Sequence, residues 1–130
     1  MTAQTTEKRE YTCIVCPNGC PLQTEVTADG APRLVSVTGN LCPRGEAWVR
    51  QEIENPVRTI STNVLITGGT LPVASVRTLD SVPLKDIMAV RESLKRVVLK
   101  APVHIGDLVT DCPAGVPCRV IATRNIPAKK

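Results

Sequence analysis

Four cysteines carry the chemistry this sequence can do. Cys13, Cys16 and Cys20 stand within "CIVCPNGC", and Cys42 follows in "NLCPRGEA". Thiols at such spacing could form a disulfide framework, a zinc site or an iron–sulfur cluster. The opening "MTAQTTEKREYT" is polar and mixed in charge, with no apolar run for a signal sequence or a membrane span, so a soluble cytoplasmic protein is expected. Thiols stay reduced in that compartment, which turns clustered cysteines toward metal or redox chemistry and away from structural bridges. Structural zinc usually takes two cysteine pairs, each across a short knuckle. Here only Cys13 and Cys16 make such a pair, because Cys42 has no cysteine or histidine two to four residues away. On spacing alone a four-iron cluster is favoured and zinc stays open.

Short-range elements must position these thiols. Pro17 and Pro21 stiffen the first loop, Gly19 permits a turn that a larger residue would strain, and backbone N–H groups in such a turn can face cluster sulfurs. From Pro21 to Gly39 the pattern is a hairpin: "LQTEVT", the turn "ADGAP", then the returning "RLVSVT". Its closure would bring Cys42 back beside the other three. "PRGEAWVRQEIEN" predicts a short helix with Trp48, Ile53 and Val49 toward one side, ended before Pro56. A boundary near Asn55-Pro56 divides residues 1–55, the cluster lobe, from residues 56–130, an α+β lobe suited to docking a partner.

In the second lobe strands are expected at 57–66, "VASVRTL", "VVLKAPVHI", "DLVTD" and "CRVIATR". "SVPLKDIMAVRESLKR" predicts the main helix, with Ser81 as its cap, Pro83 in its first turn, and Leu84, Ile87, Met88, Arg91 and Leu94 at helical spacing. One tryptophan, one tyrosine and no phenylalanine leave Val, Ile and Leu to build the core, which favours strands.

The remaining candidates are weaker. A net charge of +4 spread along the chain, with two aromatic rings, gives nucleic-acid binding no support. Cys112 and Cys118 flank "PAGVP", where a hairpin would make a reversible thiol pair conceivable; two reduced cysteines at a strand junction is the plainer reading. His104, the single histidine, reads as an ordinary strand residue, and "TGGT" as a turn without a phosphate-binding pattern. Arg44, Arg50 and Arg58 could balance a cluster's charge, attract an acidic partner, or simply be solvated. Trp48 could shield the cluster or anchor its helix.

Residues 13–58, from "CIVCPNGCPLQTEVTADG" to "VTGNLCPRGEAWVRQEIENPVR", resemble the N-terminal cluster segment of the molybdopterin oxidoreductases, the formate dehydrogenase and nitrate reductase group. The resemblance implies that Cys13, Cys16, Cys20 and Cys42 ligate a [4Fe-4S] cluster. It fails where the family continues into molybdenum-binding domains, for which this chain is too short. Arg44 stands where lysine is usual, so a pterin relay role is not carried over. The whole chain, including "APVHIGDLVTD" and "RVIATRNI", is similar to a small family of anaerobe proteins of undescribed function. These are encoded beside FAD-dependent dehydrogenases of the glycerol-3-phosphate dehydrogenase type and NADH-oxidase-like flavoproteins. That similarity implies an accessory electron-transfer subunit in a hetero-oligomer with a flavoprotein.

The expected fold is α+β: a small N-terminal [4Fe-4S]-binding hairpin lobe, and a C-terminal, mostly antiparallel β lobe with one main helix. The expected function is one-electron transfer in an oxidoreductase complex, with no catalysis by this chain alone. A structural zinc interaction module and a thiol-redox protein using Cys112 and Cys118 are the alternatives.

Overall fold

In the computed structural model, residues 5–130 are described, so the first four residues of the polar start lie outside the described residues. The chain divides into two compact units, Met1–Pro56 and Val57–Lys130.

In the first unit β1 (Thr6–Thr12), β2 (Pro21–Thr27) and β3 (Leu34–Thr38) form an antiparallel sheet in the order β1-β2-β3. The expected hairpin is β2 and β3, paired from Gln23 opposite Thr38 to Val26 opposite Leu34, with a one-residue shift of register between Glu25 and Val26. Alternation on β2 buries Leu22, Thr24 and Val26 on one face. The buried Thr24 hydroxyl is satisfied by donating to the Arg9 carbonyl at 2.8 Å. Strand β1 carries no apolar alternation in its sequence, "TEKREYT", and is exposed over most of its length. It is held by main-chain pairing to β2, from Thr6 opposite Thr27 to Thr12 opposite Pro21, which hydropathy does not register. Helix α1 (Pro43–Glu54) starts on a proline, buries Gly45, Val49 and Ile53 along one stripe, and ends before Pro56. Trp48 is half-buried against the same core. On the outer face Arg50 lies between Glu46 and Glu54 at 3.6 and 3.8 Å.

In the second unit the expected strand 57–66 is divided. Its start, β4 (Val57–Arg58), pairs with β7 (Val82–Pro83), and the rest is β5 (Ser61–Thr67). The main sheet adds β6 (Val73–Thr78), β8 (Val98–Lys100), β9 (Leu108–Thr110) and β10 (Val120–Ala122), in the order β8-β5-β6-β10-β9. Its pairs are antiparallel except β5 with β8. "VVLKAPVHI" is a strand only over Val98–Lys100; past Pro102, which has no N–H to give a ladder, Val103 makes an isolated bridge to Ile126.

The main helix begins later than its sequence predicts. Ser81 does not cap it, Val82 is fully buried in the pairing with Arg58, and Pro83 is extended at φ −53° and ψ 134°. A single 3₁₀ turn, Leu84–Asp86, leads into α2 (Ile87–Leu94). Burial of Val82 in a strand outweighs the local preference for an earlier start, and the helix face rotates accordingly. Val90 and Leu94 are buried with Ile87 against them, whereas Leu84 and Met88 face solvent. The architecture is α+β, mostly strands with two helices.

Candidate metal centre

Two chain reversals at one end of the first sheet deliver the four cysteines. The first is the β1–β2 connection, where the Cys13 N–H donates to the Cys20 carbonyl at 2.9 Å and closes a loop containing Cys16. Gly19 takes φ +59° within it, as a turn of this tightness requires. Cys13 and Cys20 are buried, at 5% and 8% exposure, and Cys16 is half-buried. The second is the exit from β3. Gly39 has φ +93°, and a Cβ there would stand 2.2 Å from the Pro21 carbonyl oxygen. Only glycine lets the chain cross the start of β2 so closely, and the crossing turns Asn40, Leu41 and Cys42 back toward the first loop. Asn40 secures the turn by donating from Nδ2 to the Cys42 carbonyl at 3.2 Å.

All four cysteines line one cavity of about 150 Å³, together with Asn40, Leu41, Arg44 and Gly45. A single water requires only ~10–15 Å³. Gly45, the third residue of α1, has its Cα toward this cavity; a Cβ would lie 3.3 Å from the Asn40 Cβ and 3.6 Å from the Cys13 Sγ. Its bare backbone thus lets the start of the helix rest against a thiol. Cys42 is the residue that precedes α1, in extended conformation. Its side chain does not close a capping hydrogen bond as serine would, yet its pKa is lowered by the Gly45 amide, then by the Arg44 amide and guanidinium.

This donor set suits a thiolate-bound group: four sulfurs, no lining carboxylate or imidazole, and one guanidinium for the negative charge. Among the described residues, no three His, Cys, Asp or Glu side chains are gathered tightly enough to hold a metal ion. The sulfurs border a space instead of meeting at a point.

The other residues singled out by the sequence lie elsewhere. Cys118 is buried at 2% exposure, its thiol donates to the Asp80 carbonyl at 3.4 Å, and burial pushes its pKa up. Cys112 is exposed, and both are free thiols. His104 is exposed, with its N–H donating to the Asp107 carboxylate at 2.8 Å in a turn and Nδ1 3.7 Å from the same oxygen. The first glycine of "TGGT" has φ +70°, as a turn demands. Of the three arginines, Arg50 is engaged along its own helix and Arg58 donates to the Val57 carbonyl at 2.8 Å, so Arg44 alone lines the cavity. Trp48 packs on the apolar core and is not part of the cavity wall. Sequence reasoning missed Gly39 and Asn40 as site residues; the signal was there in "TGNLC", a glycine and an asparagine between strand and cysteine.

Among known proteins, a family described as a protein of unknown function (DUF1667) matches residues 43–124. No curated protein matches the chain, and no solved structure does.

Proposed function

We propose that this chain, which belongs to the DUF1667 family, is a one-electron carrier that holds a [4Fe-4S] cluster on Cys13, Cys16, Cys20 and Cys42. The observation that supports this most is the single cavity lined by all four thiols and no other metal-binding side chain. A tetrahedral zinc needs every sulfur about 2.3 Å from one centre. A four-iron cube takes each thiolate at a different corner, which suits sulfurs arranged around a space. The cluster supplies reversible one-electron chemistry, and with all irons ligated by cysteine it leaves no position for a substrate.

The chain's own residues supply the binding and the electrostatics. Cys13 and Cys20 offer buried ligands, Gly39 and Asn40 hold the Cys42 segment, and the Gly45 and Arg44 amides with the Arg44 guanidinium favour negative charge at Cys42. The partner in this reading is a FAD-dependent dehydrogenase of the glycerol-3-phosphate dehydrogenase type or an NADH-oxidase-like flavoprotein. A flavin converts hydride chemistry into the single-electron steps a cluster accepts. The chain would then serve as the accessory subunit and not as the catalyst.

Anaerobic purification followed by metal and sulfide analysis tests the assignment. About four irons and four sulfides per chain, with broad absorption near 400 nm, are expected for this cluster type. A colourless protein with one zinc per chain would replace the reading with a structural zinc module.

A further inference from the structure

The two cysteine loops carry almost no charge. Between Glu10 and Glu25 no residue is charged, and between Arg33 and Glu46 only Arg44 is, in a chain that is 22% charged overall. The same loops expose aliphatic side chains: Leu41 at 79% and Val15 at 39% line the cavity, and Ile14, at 74%, stands between Cys13 and Val15 without lining it. Ile14 and Leu41 are the most exposed of the large hydrophobics among the described residues. Each is adjacent in sequence to a cysteine lining the cavity, so neither can be withdrawn into the core without moving a ligand position. An apolar patch kept at the surface at a cost in solubility marks a contact site.

We infer that Ile14, Val15 and Leu41, with Arg44 beside them, form the docking face for an electron-exchange protein whose contact surface is apolar at its centre and acidic at its edge. The inference rests on the electron-transfer reading above. The occupant follows from charge and position. The lone charge at the cavity is the Arg44 guanidinium, with no carboxylate among the lining residues, so a basic surface would be repelled and an acidic one steered in. A small, nearly uncharged centre loses little on desolvation and suits the brief contacts of redox proteins, which bury less than about 1,200 Å². The step is an exchange of one electron: the reduced chain loses it, the partner's centre gains it, and no bond or proton moves.

The test uses two haem proteins of opposite surface charge, acidic cytochrome b5 and basic cytochrome c, as oxidants of the anaerobically reduced protein in a stopped-flow experiment. The acidic probe is expected to react with a rate that falls steeply as salt is raised, and the basic probe with a rate that does not fall. Ile14→Glu, at a side chain outside the cavity lining, should keep iron content and the 400 nm absorption while slowing the acidic probe at least tenfold. A rate with the acidic probe that ignores both salt and Ile14→Glu overturns the docking face, as does a wild-type protein that passes electrons to a small quinone and to neither protein. A wild-type preparation without iron would instead remove the cluster assignment, before any rate is measured.

Discussion

The two units solve the problem of stability differently. The core of Val57–Lys130 is a set of aliphatic side chains from the inner strands of its main sheet, including Val64, Val76 and Val120, and from α2, Val90 and Leu94; the one cysteine buried in that core, Cys118, has its thiol hydrogen-bonded. The core of Met1–Pro56 is smaller, and two of its buried members are Cys13 and Cys20. A unit of this size buries proportionally little surface and commonly needs a metal or a covalent link. If the cluster proposed above is held there, the smaller unit has ligands where apolar packing would otherwise be, and its stability is tied to its site in a way that of the larger unit is not.

Removing a ligand separates the two most sharply. Cys42→Ser is expected to abolish iron binding and unfold the N-terminal unit, while the far-ultraviolet signal and cooperative melting of the C-terminal unit persist; a single unchanged transition with full iron content would end the contrast. Leu94→Ala should do the reverse, costing about 2–5 kcal/mol in the C-terminal unit by leaving a cavity, with no change in iron per chain. Denaturant titration followed together with the 400 nm band would distinguish these outcomes.

Gly39→Ala is subtler, because it alters no ligand. Its positive φ and the 2.2 Å approach to Pro21 predict a cost of about 1–3 kcal/mol in the N-terminal unit, read as faster iron loss to a chelator. The smallest effect belongs to Asp80, whose carboxylate receives Arg119 Nε at 2.9 Å and Nη2 at 2.8 Å in the C-terminal unit. The Arg119 guanidinium, then its backbone N–H, holds the Asp80 carboxyl well below the usual range. A folded pKa below the unfolded value of about 4 gives stability that is complete above that pH and is lost as pH falls through the folded value. Asp80→Asn should thus flatten the dependence of melting temperature on pH below about 4. At neutral pH it should change little, since both side chains are more than a third exposed and screened by solvent.

Much of this architecture is legible locally. The β2–β3 hairpin follows from alternation around an Asp-Gly turn, and α1 follows from a proline start, a stripe at Val49 and Ile53, and a proline stop. Strand β1 was not legible, because charged residues pair through their backbone without an apolar signature. The late start of α2 was not legible either, since the pairing of Val82 and Pro83 with Arg58 and Val57 joins segments far apart in sequence. At the site, cysteine spacing singled out the four sulfurs. The requirement for glycine at positions 39 and 45 depends on what a side chain would strike, and those atoms belong to Pro21, Asn40 and Cys13.

By itself, the order of residues determined which side chains could ligate a metal, where the turns fall and which strands alternate, because those properties act over a few neighbouring bonds. Only the tertiary structure decided that the loop of Cys13, Cys16 and Cys20 and the segment of Cys42 border one cavity. It alone also left Ile14 and Leu41 exposed to solvent and placed Arg44 against the cavity. Convergence of that kind depends on close backbone approach and on burial, which no stretch of sequence contains until the sheet has brought its ends together.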